Sequence, residues 1–271
     1  MLVIAARSLS ISNSPIVVLK IGGSVLTGAP AFFTAASFVA RRLDELRHGR
    51  IVAVVSAEHG QTDALLQTAR EFCRMPDPSA LDLLWSTGEL RSVALFALAL
   101  QAVGVNAAPA NVHQAGLVQR NAPFARAHVH PLRLHALLAA HDVAVVPGFL
   151  ARGHGDSVVS LGRGGSDVTA VLLAAALGAT CELIKDVDGY CSSDPNLDAS
   201  ARHLPDLTFD RALSLADAGC GLVQREALEA ARDAGVAVIV RSIGGRRSTR
   251  LNAVSPSGHE DRPPSLLLRR S

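Results

Sequence analysis

The sequence predicts an α/β sandwich built on a mainly parallel, mixed central sheet, and three observations predict it. Short runs of branched apolar residues recur along the chain, IVVLK at 16–20, IVAVV at 51–55 and VAVIV at 236–240, bounded by glycine or turn residues. Such runs are apolar on both faces, as strands covered by helices on both sides require. Longer segments with helical spacing alternate with these runs nearly throughout, which is the order of a layered α/β domain. No proline- or serine-rich linker divides the middle of the chain, and no internal repeat is present.

Taken in order, Ile16–Lys20 reads as a buried strand feeding the glycine turn Gly22-Gly23-Ser24. Phe32–Arg47 has helical spacing and ends in basic residues, and Ile51–Val55 is a second buried strand. Thr62–Phe72 reads as a helix with Thr62 as N-cap and Asp63 in its first turn. Leu81–Val103 is a long helical segment, with an interruption expected near Ser86–Gly88. Pro131–Ala140 is a helix, and Val143–Val146 a strand ending at Pro147-Gly148. Residues 149–161 read as a hairpin around a Gly153–Gly155 turn. A helix over 166–178, a strand over 181–185, a helix over Leu222–Asp233 and the strand Val236–Val240 complete the set.

Composition limits the function. At 271 residues the chain can bury a substantial core, and 49% of it is apolar. A net charge of +2 implies no nucleic-acid partner. No apolar run is expected to reach the length of a membrane span. Cys73, Cys181, Cys191 and Cys220 are scattered without a CxxC pair and read as reduced, mostly buried thiols of a cytoplasmic protein. Residues 1–14 read as an N-terminal extension, 15–254 as the folded domain, and the proline-, serine- and charge-rich stretch 255–271 as a mobile tail. His128, His130, His135 and His141 cluster in sequence, but no carboxylate or cysteine partners them closely, so no metal site is assigned. The apolar segment 94–105 reads as core or as a dimer-facing helix.

The chemistry concentrates in residues 160–195, SLGRGGSDVTAVLLAAALGATCELIKDVDGYCSSDP. A glycine-rich turn opens an apolar helix, the helix leads to a strand ending at Lys185, and the strand runs into an acidic turn-rich loop. Glycines at a helix start allow backbone N–H groups to approach an anion, and the helix dipole favours negative charge there. This stretch therefore reads as one wall of a phosphate or carboxylate site. Of the 26 basic residues only two are lysines, Lys20 and Lys185, and both lie beside glycine- or turn-rich motifs. A compact ammonium on a flexible stem is not duplicated by arginine's rigid fork.

Five segments, VLKIGGSV (18–25), SAEHGQTDALL (56–66), STGELRS (86–92), LGRGGSDVTA (161–170) and DVDGYCSSDP (186–195), together resemble the aspartokinase branch of the amino acid kinase family. The resemblance covers about residues 16–251. It implies a three-layer α/β/α sandwich and ATP-dependent phosphorylation of the β-carboxylate of L-aspartate, with Mg²⁺ carried on the ATP phosphates. It implies that Lys20 contacts the transferring phosphate, that Asp167 orients Lys20, and that Arg163 grips the α-carboxylate of aspartate. Glu89 and Asp167 would flank the substrate ammonium, and Thr62, Phe149 and Ser166 would complete the substrate site. Gly22, Gly23, Ser24, Gly164, Gly165, Lys185, Asp186, Tyr190 and Asp194 would line the nucleotide, with the loop carrying Asp186, Asp188 and Asp194 at ribose and base. A homodimer, and a possible separate regulatory chain, are implied as partners.

The chain departs from that pattern. The branch usually has threonine where Lys185 stands, and a lysine where Gly221 stands in GCGLVQRE (219–226). Lys185 or Arg225 is the candidate replacement for that second cation. The stretch after residue 254 is too short for the ACT domains through which lysine and threonine inhibit longer members, so insensitivity to both is expected. A same-fold kinase for another carboxylate or phosphate, and a catalytically silent binding or regulatory member, stay open on the sequence.

Overall fold

A computed structural model describes residues 14–119, 127–162, 164–194, 198 and 200–252. The expected N-terminal extension and C-terminal tail, except Ser14, lie outside these residues. An eight-stranded sheet forms the middle layer. Its strands are β1 (Ile16–Ile21), β2 (Arg50–Val55), β3 (Ala107–Pro109), β6 (Val143–Pro147), β9 (Thr180–Lys185), β10 (Asp206–Thr208), β11 (Val238–Ser242) and β12 (Ser248–Asn252), in the order β10-β12-β11-β9-β1-β2-β6-β3. Every neighbouring pair is parallel except β11 and β12. A second, four-stranded sheet contains β4 (Leu117–Val118), β5 (His128–Val129), β7 (Leu150–Arg152) and β8 (Val158–Ser160). The expected hairpin over 149–161 is the antiparallel pair of β7 and β8.

Alternation along the strands sorts side chains between two cores. Val18 of β1 and Cys181 and Leu183 of β9 pack into one, with α4 (Val112–Ala115), α5 (Leu132–Ala140), α6 (Gly165–Leu177), α7 (Phe209–Asp217) and α8 (Arg225–Ala234). Val17, Leu19 and Ile21 of β1 pack into the other, under α1 (Gly28–Glu45) and α3 (Pro78–Ala102). The helix α2 (Gln61–Phe72) leans on α3. On the α1 side the sheet buries one acid, Glu182, which is 1% exposed. Its Oε1 accepts from Arg42 Nε at 2.9 Å and Nη2 at 2.7 Å, and Arg241 Nη1 lies 3.7 Å from Oε2.

Several boundaries differ from expectation for local reasons. Thr62 is not an N-cap: the chain turns at Gly60 with φ 78°, and the helix starts at Gln61. The interruption expected at Ser86–Gly88 does not occur; α3 runs unbroken for 25 residues from the Asp77 cap, whose Oδ1 accepts from the N–H groups of Ser79 and Ala80. Gly88 serves packing instead, since a Cβ there would stand 3.1 Å from Gln61 Cγ and 3.3 Å from Leu65 Cδ1 of α2. Among the described residues α3 alone is long and apolar enough to cross a membrane, which corrects the expectation that no apolar run reaches that length. Half of its apolar window is buried against α1, α2 and the sheet. The strand expected at 236–240 lies two residues later, as β11, a further strand, β12, follows it, and α8 starts at Arg225 instead of Leu222. The cysteines were expected to be mostly buried, but only Cys181 is, and Cys73 is exposed.

Candidate active site

Open parallel sheets bind ligands outside the carboxyl ends of strands, where neighbouring strands send the chain in opposite directions. That condition holds between β1 and β9. From β1 the chain passes through α1 to β2 on one side; from β9 it continues towards β10, β11 and β12 on the other. Lys20 and Lys185 stand at these two ends.

Period-two alternation brings the lysines together. Lys20 shares its face of β1 with Val18, and Lys185 shares its face of β9 with Cys181 and Leu183, so both point to the layer containing α6. The first turn of α6 presents Asp167, which is 2% exposed. Lys20 Nζ lies 2.9 Å from Asp167 Oδ1, and Lys185 Nζ donates to Oδ2 at 2.8 Å. Burial alone would raise the Asp167 carboxyl, but the two ammonium groups outweigh it and hold the group below its usual value. Burial lowers Lys185, partly offset by Asp167.

Glycines form the wall around this triad. Gly23 follows the strand, and a Cβ on it would lie 2.4 Å from the Ala57 carbonyl oxygen, so only glycine permits this contact between turns. The His59 N–H donates to Gly23 O at 3.2 Å across the same contact. Gly164 opens α6 at φ 76°, where a side chain is strained, and a Cβ there would overlap Gln224 Cγ at 2.3 Å. Gly165 follows inside the helix and Ser166 is 9% exposed. Ser24 and Asp186 are exposed at the rim.

The expected substrate residues come from further elements: Thr62 from α2, Glu89 from α3 and Phe149 from the turn between β6 and β7. Glu89, on α3, is 3% exposed, and its Oε2 accepts from the Ala57 N–H at 2.9 Å. Burial pushes the Glu89 carboxyl up to about 8, against the opposing pull of Ala57 N–H and Lys20. Phe149 sits at φ 65°, a left-handed conformation rare for an aromatic residue. Trp85 packs edge-on against its ring, 5.7 Å between centroids, and donates Nε1–H to the Thr62 carbonyl at 3.2 Å. One tryptophan thus ties Thr62 to Phe149. Trp85 and the Ala57 N–H were missed by the sequence reading. The available signal was position: Trp85 is the only tryptophan and lies one helical turn before Glu89.

Not every expected residue is placed at the surface of this site. Arg163 lies outside the described residues. Tyr190 is 2% exposed within the core, so its ring braces the acidic loop from beneath and does not line it. Its N–H donates to Thr249 Oγ1 at 2.8 Å. Asp188 also braces, accepting from Ser242 Oγ. Asp194 is an exposed part of the same loop. Arg225 is at the start of α8, paired with Asp217 and with Glu229 at 3.0 Å. No group of three or more His, Cys, Asp or Glu among the described residues could hold a metal ion.

Residues 15–242 match the model of the amino acid kinase family. Aspartokinase of Mycobacterium tuberculosis is 38% identical over 234 residues, which is 84% of this chain and 54% of the relative. The chain spans about half the length of the curated relatives it matches. Among solved structures, aspartate kinase from Synechocystis superposes with a TM-score of 0.79 at 33% identity, covering 88% of this chain and 40% of that one. E. coli aspartokinase III in complex with aspartate and ADP gives a TM-score of 0.72 at 25% identity, covering 89% and 65% respectively. Fold, motif order and family match agree: the chain belongs to the amino acid kinase family.

Proposed function

We propose that this chain phosphorylates the β-carboxylate of L-aspartate with ATP, giving 4-phospho-L-aspartate and ADP. The observation that carries the reading is the buried Lys20–Asp167–Lys185 triad between two glycine turns at the carboxyl ends of β1 and β9. In the proposed reaction a β-carboxylate oxygen forms a bond to the γ-phosphorus in line as the bond to the bridging oxygen of ADP breaks. No covalent enzyme intermediate is needed, so the protein contributes positioning and neutralisation of charge. Lys20 would contact the transferring phosphoryl oxygens, and the backbone at Gly22, Gly23, Gly164 and Gly165 would approach the phosphates closely. Asp186 and Asp194 would border ribose and base. Because Asp167 is already matched by two ammonium groups, Mg²⁺ would be held by the phosphates of the nucleotide, where it would offset their charge.

Glu89 would receive the substrate ammonium, Arg163 the α-carboxylate, and Thr62 and Ser166 would offer hydroxyl donors beside Phe149. The curated aspartokinase relatives and the aspartate- and ADP-bound neighbour support this choice of substrate. The same relatives, with the four free cysteines, support a soluble cytoplasmic enzyme. A homodimer would use the outer face of α3 and α1, where Leu83, Leu98 and Phe33 are 61%, 62% and 48% exposed. The test is turnover of ATP and aspartate in the presence of hydroxylamine, which traps acyl phosphates as hydroxamates. Hydroxamate that depends on both substrates is the expected result. Its absence with aspartate, or its appearance only with a different carboxylate, would overturn the substrate assignment.

A further inference from the structure

We propose that Lys185 is the second phosphate-binding cation of this site, and that Asp167 acts as a spacer holding Lys20 and Lys185 side by side for one polyphosphate chain. The proposal deepens the kinase reading above and rests on it.

The argument starts from strand register. On the parallel pair β1 and β9, Lys20 is level with Leu183 and Ile21 with Ile184, so Lys185 stands two residues beyond the level of Lys20, towards the carboxyl edge and on the same face. The two ammonium groups therefore cover successive levels of one edge instead of competing for one point. Each takes a different oxygen of Asp167, at 2.9 and 2.8 Å. Two cations around one carboxylate leave a surplus of one positive charge, in a place where all three side chains are largely removed from water. A surplus buried charge is costly until an anion reaches it. Asp186, next in the chain, draws on Lys185 but is itself exposed.

The approach to that charge is kept open. A Cβ at Gly22 would stand 3.4 Å from Lys20 Nζ, in contact with the ammonium, and the Gly22 N–H ties the turn to Ile184 O at 3.3 Å. The competing candidate, Arg225, does not meet these conditions. Its charge is already matched by Asp217 and Glu229 on the exposed start of α8. The loop before α8 nevertheless borders the site, because Gln224 packs against Gly164. Within that loop Gly221 is unobstructed: a Cβ there meets nothing within 4 Å. A lysine at 221 can therefore be accommodated, three residues before Gln224.

Calorimetric titration with inorganic tripolyphosphate tests this without any acceptor carboxylate or nucleoside. Lys185→Thr is expected to weaken tripolyphosphate and ATP binding by about tenfold or more, the loss of one charge-assisted contact. Its kcat is expected to fall about 100-fold with little change in the aspartate KM. Adding Gly221→Lys is expected to restore tripolyphosphate affinity. Lys185→Met, which keeps the apolar stem, should match Lys185→Thr in binding while retaining the wild-type Tm. Unchanged tripolyphosphate affinity in both single variants would overturn the proposal, because Lys185 would then only stabilise Asp167. If hydroxamate formation fails while the polyphosphate results hold, the aspartate reading falls and the cation site stands.

Discussion

If Glu89 receives the substrate ammonium, as proposed above, substrate binding is a proton-coupled event whose size follows from the surroundings of Glu89. Buried at 3% exposure and pushed up to about 8, its carboxyl is neutral in most free sites at pH 7, with about one site in ten ionised. An incoming substrate ammonium requires the carboxylate, so binding expels a proton. Aspartate affinity should therefore rise about tenfold per pH unit below 8 and level off above it. Titration calorimetry in two buffers of different ionisation heat should find nearly one proton released per aspartate at pH 7. In Glu89→Gln the slope and the proton release should both vanish, leaving weak binding at every pH. The stability sign is opposite to that of a paired surface acid. The folded value lies above the ordinary 4.5, so this group's contribution is fully present below 4.5 and is lost as pH rises through about 8. Denaturant titrations across that window should show the loss in wild type and not in Glu89→Gln. An aspartate affinity that is flat from pH 6 to 8, with no proton release, would refute the placement of the ammonium against Glu89.

Three further outcomes are expected. Lys20→Ala should lower kcat by about 100-fold or more while ATP affinity falls less, measured by steady-state kinetics beside ATP calorimetry. Arg163→Lys should raise the aspartate KM strongly and leave ATP affinity nearly unchanged, because a point charge replaces a two-bond fork. Arg42→Met should cost roughly 3 kcal/mol in urea denaturation, since it leaves Glu182 buried with only the more distant Arg241, while the folded enzyme retains its kcat.

The long strands were legible because burial on both faces writes an apolar run, as in β1, β2 and β6. The two- and three-residue strands β3, β4, β5 and β10 carry no periodicity of their own and exist through pairing with distant partners. The short amphipathic helix α7, capped by Thr208, also escaped the reading. At the site, residue types were legible and their convergence was not. Lys20, Asp167 and Lys185 stand out by composition and by their glycine neighbours, yet their meeting depends on the register of β1 against β9. Tyr190 shows the converse: a motif position next to the acidic loop, whose ring the fold turns inward to the core. Gly88 suggested a helix break because its role, admitting α2 against α3, lies outside its own segment.

The placement of Trp85 gives this protein a built-in optical reporter. Its indole is the only one in the chain, it donates to the Thr62 backbone, and it packs on Phe149, so its emission carries signal from this wall and from nowhere else. Any ligand that moves Thr62 or Phe149 changes the hydrogen bond or the ring contact at the fluorophore itself. Arrival of the proposed amino acid at this wall can thus be followed in the unlabelled protein in stopped flow, separately from turnover, and mixing with and without nucleotide tests the order of entry.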